Sequence, residues 1–228
     1  MKLTTLFFVI CIIHIPPLKA QSFIGSFDLV ASQINKNGNA RNDTLSYFFG
    51  ADKTALIIHS KRNQPDMRLV FNPQNSTITG LFEMKGKKGG YILPMNEKHW
   101  PGMGYALRAY GTGPRKKLNY TGNTKVIEGL VCEEVLAESD EYNANLWVTG
   151  EIPLNMSSVL SYQSVGAGKS QKEREQFDQF GVEPLPLKMN LKSKTGKSNV
   201  QIKLINLRNF VNDSIFSSEG YMLSEVEN

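Results

Sequence analysis

Short segments rich in β-branched and aromatic residues follow one another along most of this chain, separated by clusters of Gly, Asn, Asp and Pro. Turns as short as KNGN at 36–39 and NPQN at 72–75 are typical of consecutive antiparallel strands. Strands are predicted at 22–33, 44–50, 54–60, 66–72, 76–84, 90–95, 105–110, 125–138, 143–149, 186–195 and 199–208.

Helix signals appear only after Pro153. Residues 155–162 are predicted to form a short helix, and residues 170–181 a second one. In the second segment Ser170 is a capping residue, a glutamate follows three residues later as in a capping box, and a glycine ends the segment. This short and mostly polar helix would lay two phenylalanines on the sheet.

The order of these segments predicts a mainly β fold: one long, curved antiparallel sheet with a small helical insertion near 153–181. One face of such a sheet must be covered. A sandwich covers it with a second sheet, whereas a half-barrel covers it with helices and, in some proteins, with a ligand.

The first twenty residues have the pattern of a secretory signal peptide: Lys2, an apolar run at 6–15, and Ala20 before the expected cleavage site. The run of about ten residues is too short to span a hydrocarbon layer of about 30 Å as a helix. We therefore predict a signal peptide at 1–20, one β-rich domain at 21–228, and export of the protein.

Cys132 is the only cysteine outside the predicted signal peptide, so the mature chain cannot close an internal disulfide. Cys11 lies inside the apolar run and follows large residues, which argues against lipid attachment. Free cysteine is among the most often buried residue types, and no basic side chain is placed by sequence to activate this one. We expect Cys132 to be buried in a strand and slow to alkylate.

The formal net charge of +5 is too small for a nucleic-acid-binding protein, which usually carries a concentrated basic face. Basic clusters at 85–88 and 115–117 lie in Gly-rich loops. They are expected to be solvated, and contact with anionic head groups at a membrane surface or with acidic partners stays open.

Motifs that carry chemistry are nearly absent from this sequence. The string VGAGKS at 165–170 resembles a phosphate loop but has Gln163 where the motif requires glycine. His59 and His99 belong to no metal-binding spacing, so a metal site or a Ser-His-Asp triad would have to be assembled by folding. We predict no catalytic residue, no metal and no cofactor. A hydrolase using Cys132 with one of these histidines is the weakest alternative.

The loop HWPGMGYALRAYGTG at 99–113 places large apolar groups on a Gly-rich backbone, as at the rim of a pocket, although it could instead fold onto the core. Together with the aromatic side chains of the predicted second helix, it supplies the candidate ligand-binding residues. These are Trp100, Met103, Tyr105, Phe177 and Phe180.

The run TGNTKVIEGLVCEEVLAE followed by NLWVTGEIP resembles the core of a family of exported bacterial proteins, of the Bacteroidetes type, that is described only as a domain of unknown function. In this core, Leu130 stands where Tyr is usual and Glu151 where Asp is common. The segments ITGLFEMKGKKGGYILPM and NDSIFSSEGYML are similar to other parts of that family. The family is related to the lipoprotein-localisation-factor fold, an incomplete β-barrel whose concave face holds helices and can hold acyl chains. The resemblance implies no catalytic residues.

The resemblance implies a non-enzymatic protein of the periplasm or cell surface of a Gram-negative bacterium. It would bind a lipid or an acylated peptide in the concave face of its sheet. A structural or protein-interaction module of the cell envelope, with a protein partner, is the alternative.

Overall fold

The computed structural model describes residues 23–226 except 36, 62–63, 114 and 167–170. The predicted signal peptide lies outside the described residues. Twelve strands account for about half of the described chain. They are β1 (Gly25–Ile34), β2 (Ala40–Phe49), β3 (Thr54–Ile58), β4 (Met67–Asn72), β5 (Thr77–Met84), β6 (Lys87–Pro94), β7 (Asn119–Ile127), β8 (Leu130–Glu138), β9 (Tyr142–Thr149), β10 (Leu185–Ser193), β11 (Asn199–Arg208) and β12 (Met222–Glu225).

All of these strands belong to one sheet in the order β12-β6-β5-β4-β3-β2-β1-β11-β10-β9-β8-β7. The first strand lies in the middle and joins the two halves, because β1 pairs with both β2 and β11. Every pair is antiparallel except β12 with β6, which makes the sheet mixed. An open sheet of this many strands curls. The structure confirms the predicted mainly β fold built on one long sheet.

Three short α-helices and a 3-10 helix cover one face of the sheet, which we call the concave face. They are α1 (Met103–Ala106), α2 (Met156–Ser161), the 3-10 helix Tyr162–Ser164 and α3 (Gln171–Phe180). α2 begins at Asn155, whose side chain accepts a hydrogen bond from the backbone N–H of Ser158 at 2.8 Å. Three of these helices lie within the predicted insertion near 153–181, which is therefore confirmed.

The main core lies between the concave face and the helices. Alternate residues of the strands point into it, as Phe27 and Leu29 do on β1 and Leu187 and Met189 on β10, each at most 1% exposed. Aromatic rings extend the packing from the sheet to the helical layer: Phe49 on β2 meets the Tyr162 ring edge to face, with 6.0 Å between ring centres.

A second, smaller core lies on the opposite, convex face of β3, β4 and β5. Its buried members are Ala55, Val70 and Leu81, and the C-terminal part of the chain packs Phe216 and Tyr221 against them. This segment contains a 3-10 helix, Asp213–Phe216, and then runs into β12. The sequence predicted neither element.

Two predicted strands are wrong in detail. Residues 105–110 were expected to be extended, but α1 begins at Met103 and the chain then turns. Residues 125–138 do not form one strand, because Glu128 and Gly129 both adopt positive φ and turn β7 into β8. Two successive residues with positive φ form the tight turn of a two-residue hairpin.

Among the described residues, no helix has the length and hydrophobicity needed to cross a bilayer.

Candidate functional site

The residues predicted to bind a ligand are all brought together in or beside the helical layer, but mostly as packing groups. Trp100 is completely buried, with its ring centre 4.6 Å from that of Phe71 and 5.3 Å from that of Tyr162. Its Nε1 donates a hydrogen bond to the carbonyl oxygen of Ser161 at 2.8 Å. Trp100 therefore joins the 99–102 segment to α2.

The other predicted residues lie on α1 and α3. Phe177 and Phe180 are 8% and 2% exposed, with 5.5 Å between their ring centres. Met103 and Tyr105 are half-buried on α1. As with Trp100, these side chains would meet a ligand only where the helices separate from the sheet. Whether they do so stays a prediction.

A cleft of about 470 Å³ opens beside α1, between the β2–β3 turn and the segment before α2. Apolar side chains form much of its wall: Phe23, Phe49, Leu107, Tyr110, Leu154 and Tyr162. Asp52, Lys53 and Asn155 add polar groups at its edge. This size and composition are ordinary for a small-molecule site. Sequence patterns did not single it out, because its walls come from five separate segments of the chain.

Two arginines stack on one tyrosine next to this cleft. The guanidinium carbons of Arg108 and Arg174 lie 4.5 Å and 4.0 Å from the centre of the Tyr105 ring. Arg108 also lines the cleft, whereas the Arg174 side chain is only 5% exposed. Sequence analysis missed Arg174, because a buried arginine on a mostly polar helix has no distinctive sequence signal.

On the convex face, a serine contacts a histidine and the histidine contacts an aspartate, as in a Ser-His-Asp triad. Ser46 Oγ lies 2.8 Å from His59 Nε2, and His59 Nδ1 lies 2.9 Å from Asp66 Oδ2. The same serine hydroxyl donates to Asp28 Oδ1 at 2.5 Å, so a second carboxylate holds the proton that a nucleophile would give to the histidine.

The surroundings of Ser46 also argue against catalysis. Ser46 lies within β2, paired with Asp28 on β1 and Ile57 on β3, so the sheet ladders engage the backbone N–H groups around it. A tetrahedral intermediate would need such donors free as an oxyanion hole. We interpret the contacts as a structural network that ties β1, β2 and the 59–66 segment together.

Cys132 is buried, as predicted, and lies on β8. Its Sγ donates a weak hydrogen bond to the carbonyl oxygen of Leu130 at 3.7 Å, and burial raises the pKa of the thiol. His59 follows directly after β3. Along the sheet, β3 lies six strand spacings from β8, and each spacing is about 4.8 Å. A nucleophilic pair of Cys132 and His59 is therefore wrong.

Metal binding finds no support in the residues that the structure describes. Within 23–226, outside the gaps named above, no three His, Cys, Asp or Glu side chains come close enough together to hold an ion.

The region that carries the cysteine strand and the helical insertion is similar to a known family. Residues 112–218 match the family of a domain of unknown function (DUF4412). The matched region begins before β7 and includes α2, α3 and the strands to β11, whereas β1 to β6 and α1 precede it. The predicted resemblance to a family of unknown function is confirmed. No curated protein matches the sequence significantly.

Several solved structures are similar to this chain at low sequence identity. PNGF-II matches 89% of this chain with 12% identity and a TM-score of 0.39, and the match spans 31% of the length of PNGF-II. An uncharacterised conserved protein from Thermus thermophilus matches 88% of this chain and 90% of its own length, with 7% identity and a TM-score of 0.40. A LolA superfamily protein from Nitrosomonas europaea matches 86% of this chain and 90% of its own, with 9% identity and a TM-score of 0.33.

Proposed function

We propose that this protein is a non-enzymatic protein of the bacterial cell envelope that binds an apolar ligand, a lipid or an acylated peptide, on the concave side of its sheet. The observation that carries the proposal is the cleft of about 470 Å³ with its largely apolar wall, which opens where the helical layer meets the sheet. Burying apolar ligand surface there yields about 25 cal/mol per Å² of area removed from water.

The helical layer supports this proposal because two of its helices are very short. α1 and α2 have four and six residues, and isolated helices of this length are not stable in water. Their position depends on contacts such as the hydrogen bond from Ser158 Oγ to the carbonyl oxygen of Ala106 at 3.2 Å. A ligand that replaces these contacts with its own would enlarge the cleft towards Trp100 and Phe177.

Native mass spectrometry of the protein purified from its own host tests the proposal, together with uptake of a fluorescent fatty acid. We expect a bound lipid-sized mass and saturable uptake. Leu107 is 47% exposed and lines the cleft, so Leu107→Glu should abolish uptake without unfolding the protein. Val126 is 68% exposed on β7, away from the cleft, and Val126→Glu is the matched control. An apo mass with no uptake would exclude this function.

One observation favours the second candidate, a protein-interaction module. β7 is the last strand of the sheet, and its Val126 lies opposite Val131 on β8, with 68% and 58% of these side chains exposed. An edge strand with exposed apolar groups can pair with another chain. Photo-cross-linking in intact cells from position 126 would favour this candidate if one protein dominates the products, and would exclude it if none forms.

A further inference from the structure

Arg174 is a buried cation, and two of its donors have no acceptor among the residues that the structure describes. Its Nε and Nη1 atoms are inaccessible to solvent and have no hydrogen-bond partner. Its Nη2 lies 3.9 Å from Glu175 Oε1, which is at the outer limit of an ion pair and beyond a hydrogen bond. Buried guanidinium groups normally have their N–H groups paired, because leaving them unpaired costs free energy.

A second cation shares the aromatic contact of Arg174. Arg108 stacks on the same Tyr105 ring, 4.5 Å from its centre, and the guanidinium carbon of Arg174 lies 4.0 Å from that centre. The face of a tyrosine ring attracts a cation only modestly. Two cations that share one ring repel each other, more strongly where water is excluded. The Glu175 carboxylate, 3.9 Å from Nη2, leaves Nε and Nη1 without an acceptor.

Arg108 lines the apolar cleft, and Arg174 is linked to it through the Tyr105 ring that both arginines contact. Arg108 contributes to the cleft wall, and so do Ala106 and Leu107 directly after Tyr105. On the far side of the cleft stand Phe49, from β2, and Leu154, before α2. An apolar space and the cation of Arg108 thus meet at the residues that follow α1, and Arg174 on α3 reaches the same place through Tyr105.

We propose that the ligand is an amphiphile with an anionic head group, a carboxylate or a phosphate, that binds Arg108 and Arg174 while its apolar chain occupies the cleft. The inference rests on the proposed function and names the chemistry of its ligand. Arginine donates strong charge-assisted hydrogen bonds to both kinds of oxyanion. Arg108, half-buried in the cleft wall, meets the head group first, and the unpaired donors of Arg174 hold it once the ligand has displaced the short helices and enlarged the cleft.

On the convex face, another arginine stacks on a tyrosine in a comparable way but donates a hydrogen bond to the protein. Arg68 lies 5.5 Å from the centre of the Tyr221 ring, and its Nη2 donates a hydrogen bond to the carbonyl oxygen of Ser217 at 2.9 Å. Arg68 is away from the cleft, on the other side of the sheet. Replacing it removes the same kind of group from a place where no head group is expected.

The test compares the fluorescent fatty acid cis-parinaric acid with its uncharged methyl ester, using the delipidated full-length protein purified from its host. We expect the acid to bind more tightly than the ester to the unaltered protein. Arg174→Met should weaken binding of the acid by about tenfold or more and leave binding of the ester unchanged. Arg68→Met should change neither. Arg108→Gln, at a half-buried position, should also weaken binding of the acid and serves if Arg174→Met does not fold.

Further probes distinguish the two head groups. Lysophosphatidic acid and the neutral monoacylglycerol of the same chain length differ by the phosphate, as the acid and ester differ by the carboxylate. A preference for either charged member that Arg174→Met removes supports the inference. Equal binding of charged and neutral members, unaltered by Arg174→Met and Arg108→Gln, overturns it and leaves apolar binding intact. Binding of no probe overturns the proposed function as well.

Discussion

The indole of Trp100 and the carbonyl oxygen of Ser161 are joined by a hydrogen bond of 2.8 Å inside the protein. This bond connects the segment before α1 to the last turn of α2, so the two helices are held to each other as well as to the sheet. The buried indole also fills the space between Phe71 and Tyr162. The helical layer depends on this one side chain for both packing and polar contact.

Replacing Trp100 should therefore destabilise the protein strongly. Trp100→Phe removes one of the two hydrogen bonds that the Ser161 carbonyl oxygen accepts, since Ser164 Oγ also donates to it at 2.8 Å, and it leaves a cavity beside the smaller ring. It should lower the free energy of unfolding by about 1–3 kcal/mol, and Trp100→Ala by about 3–5 kcal/mol. Urea unfolding measures both. Trp147, half-buried beneath the Lys125 ammonium at 3.8 Å, is the matched control, and Trp147→Phe should cost less than about 1 kcal/mol. Equal losses at the two tryptophans would contradict this role of Trp100.

Gly102 should not tolerate a methyl group. A Cβ at this position would lie 2.4 Å from Ser164 Oγ and 2.6 Å from the carbonyl oxygen of Ser161. Gly102→Ala should lower the free energy of unfolding by about 1–3 kcal/mol, because α1 would have to move away from α2. Gly104→Ala is the control: nothing lies within 4 Å of its Cβ, and alanine favours the helix by about 0.5–1 kcal/mol. Thermal unfolding of the two variants should thus shift in opposite directions.

The ligand-free protein should not need the charge of Arg174. Replacing a poorly compensated buried ion by an apolar side chain of similar volume is often neutral or stabilising by about 1–4 kcal/mol. We expect Arg174→Met to keep or raise the melting temperature, measured by calorimetry without ligand. Phe177→Ala, one turn further along α3, removes a side chain that is 8% exposed and should lower that temperature. A clear loss for Arg174→Met would mean that the guanidinium is needed by the fold.

The carboxylate of Asp66 should make stability depend on pH in the acid range. The backbone N–H of Ser60 donates to it at 2.9 Å and lowers its pKa, with a further contribution from the hydrogen bond to His59. A carboxyl group whose pKa is lower in the folded state stabilises that state above its unfolded pKa of about 3.9. This stabilisation is lost as the pH falls through the folded pKa.

Unfolding of Asp66→Asn at several pH values measures this effect. The variant should be less stable than the unaltered protein at pH 6, and the difference should shrink as the pH falls below about 4. Asp52, exposed in the turn between β2 and β3, is the control, and Asp52→Asn should show a smaller difference at pH 6. A difference for Asp66→Asn that stays constant down to pH 2 would show that the carboxylate is not the source.

Cys132 should react slowly in the native protein. Its side chain is 0% exposed and burial raises the pKa of the thiol, so little thiolate is available to attack a reagent. Iodoacetamide at pH 7.5 should alkylate the native protein at least about ten times more slowly than the protein in urea. Mass spectrometry follows the reaction. Similar rates in the two states would mean that β8 opens readily or that the thiol is activated.

Much of the fold was accessible from the sequence because sheet-forming segments carry local signals. β11 begins and ends where it was predicted, and the helical insertion lies within two or three residues of its predicted bounds. The failures occur where a turn or helix has little local signal. α1 was predicted as part of a strand because the aromatic residues Tyr105 and Tyr110 favour a strand, whereas packing on α2 stabilises one turn of helix there.

The candidate site was harder to predict from the sequence, for a different reason. Large apolar residues such as Trp100 and Phe177 could be named from the sequence, but the sequence does not say whether they face a ligand or the core. The cleft wall combines residues around positions 23, 50, 107 and 154, which meet only after the sheet has curled. The pairing of Arg108 with Arg174 likewise requires α3 to lie beside α1.

The sequence by itself determined the mainly β class, the place of the helices and the burial of Cys132, since these follow from the spacing of turns, from capping residues and from the polarity of single side chains. Only the tertiary structure decided that the helices close over the sheet, that β12 completes its edge, and that Arg174 lies buried with unpaired donors. Those features depend on contacts between residues far apart in the chain, which the pattern of neighbouring residues does not encode.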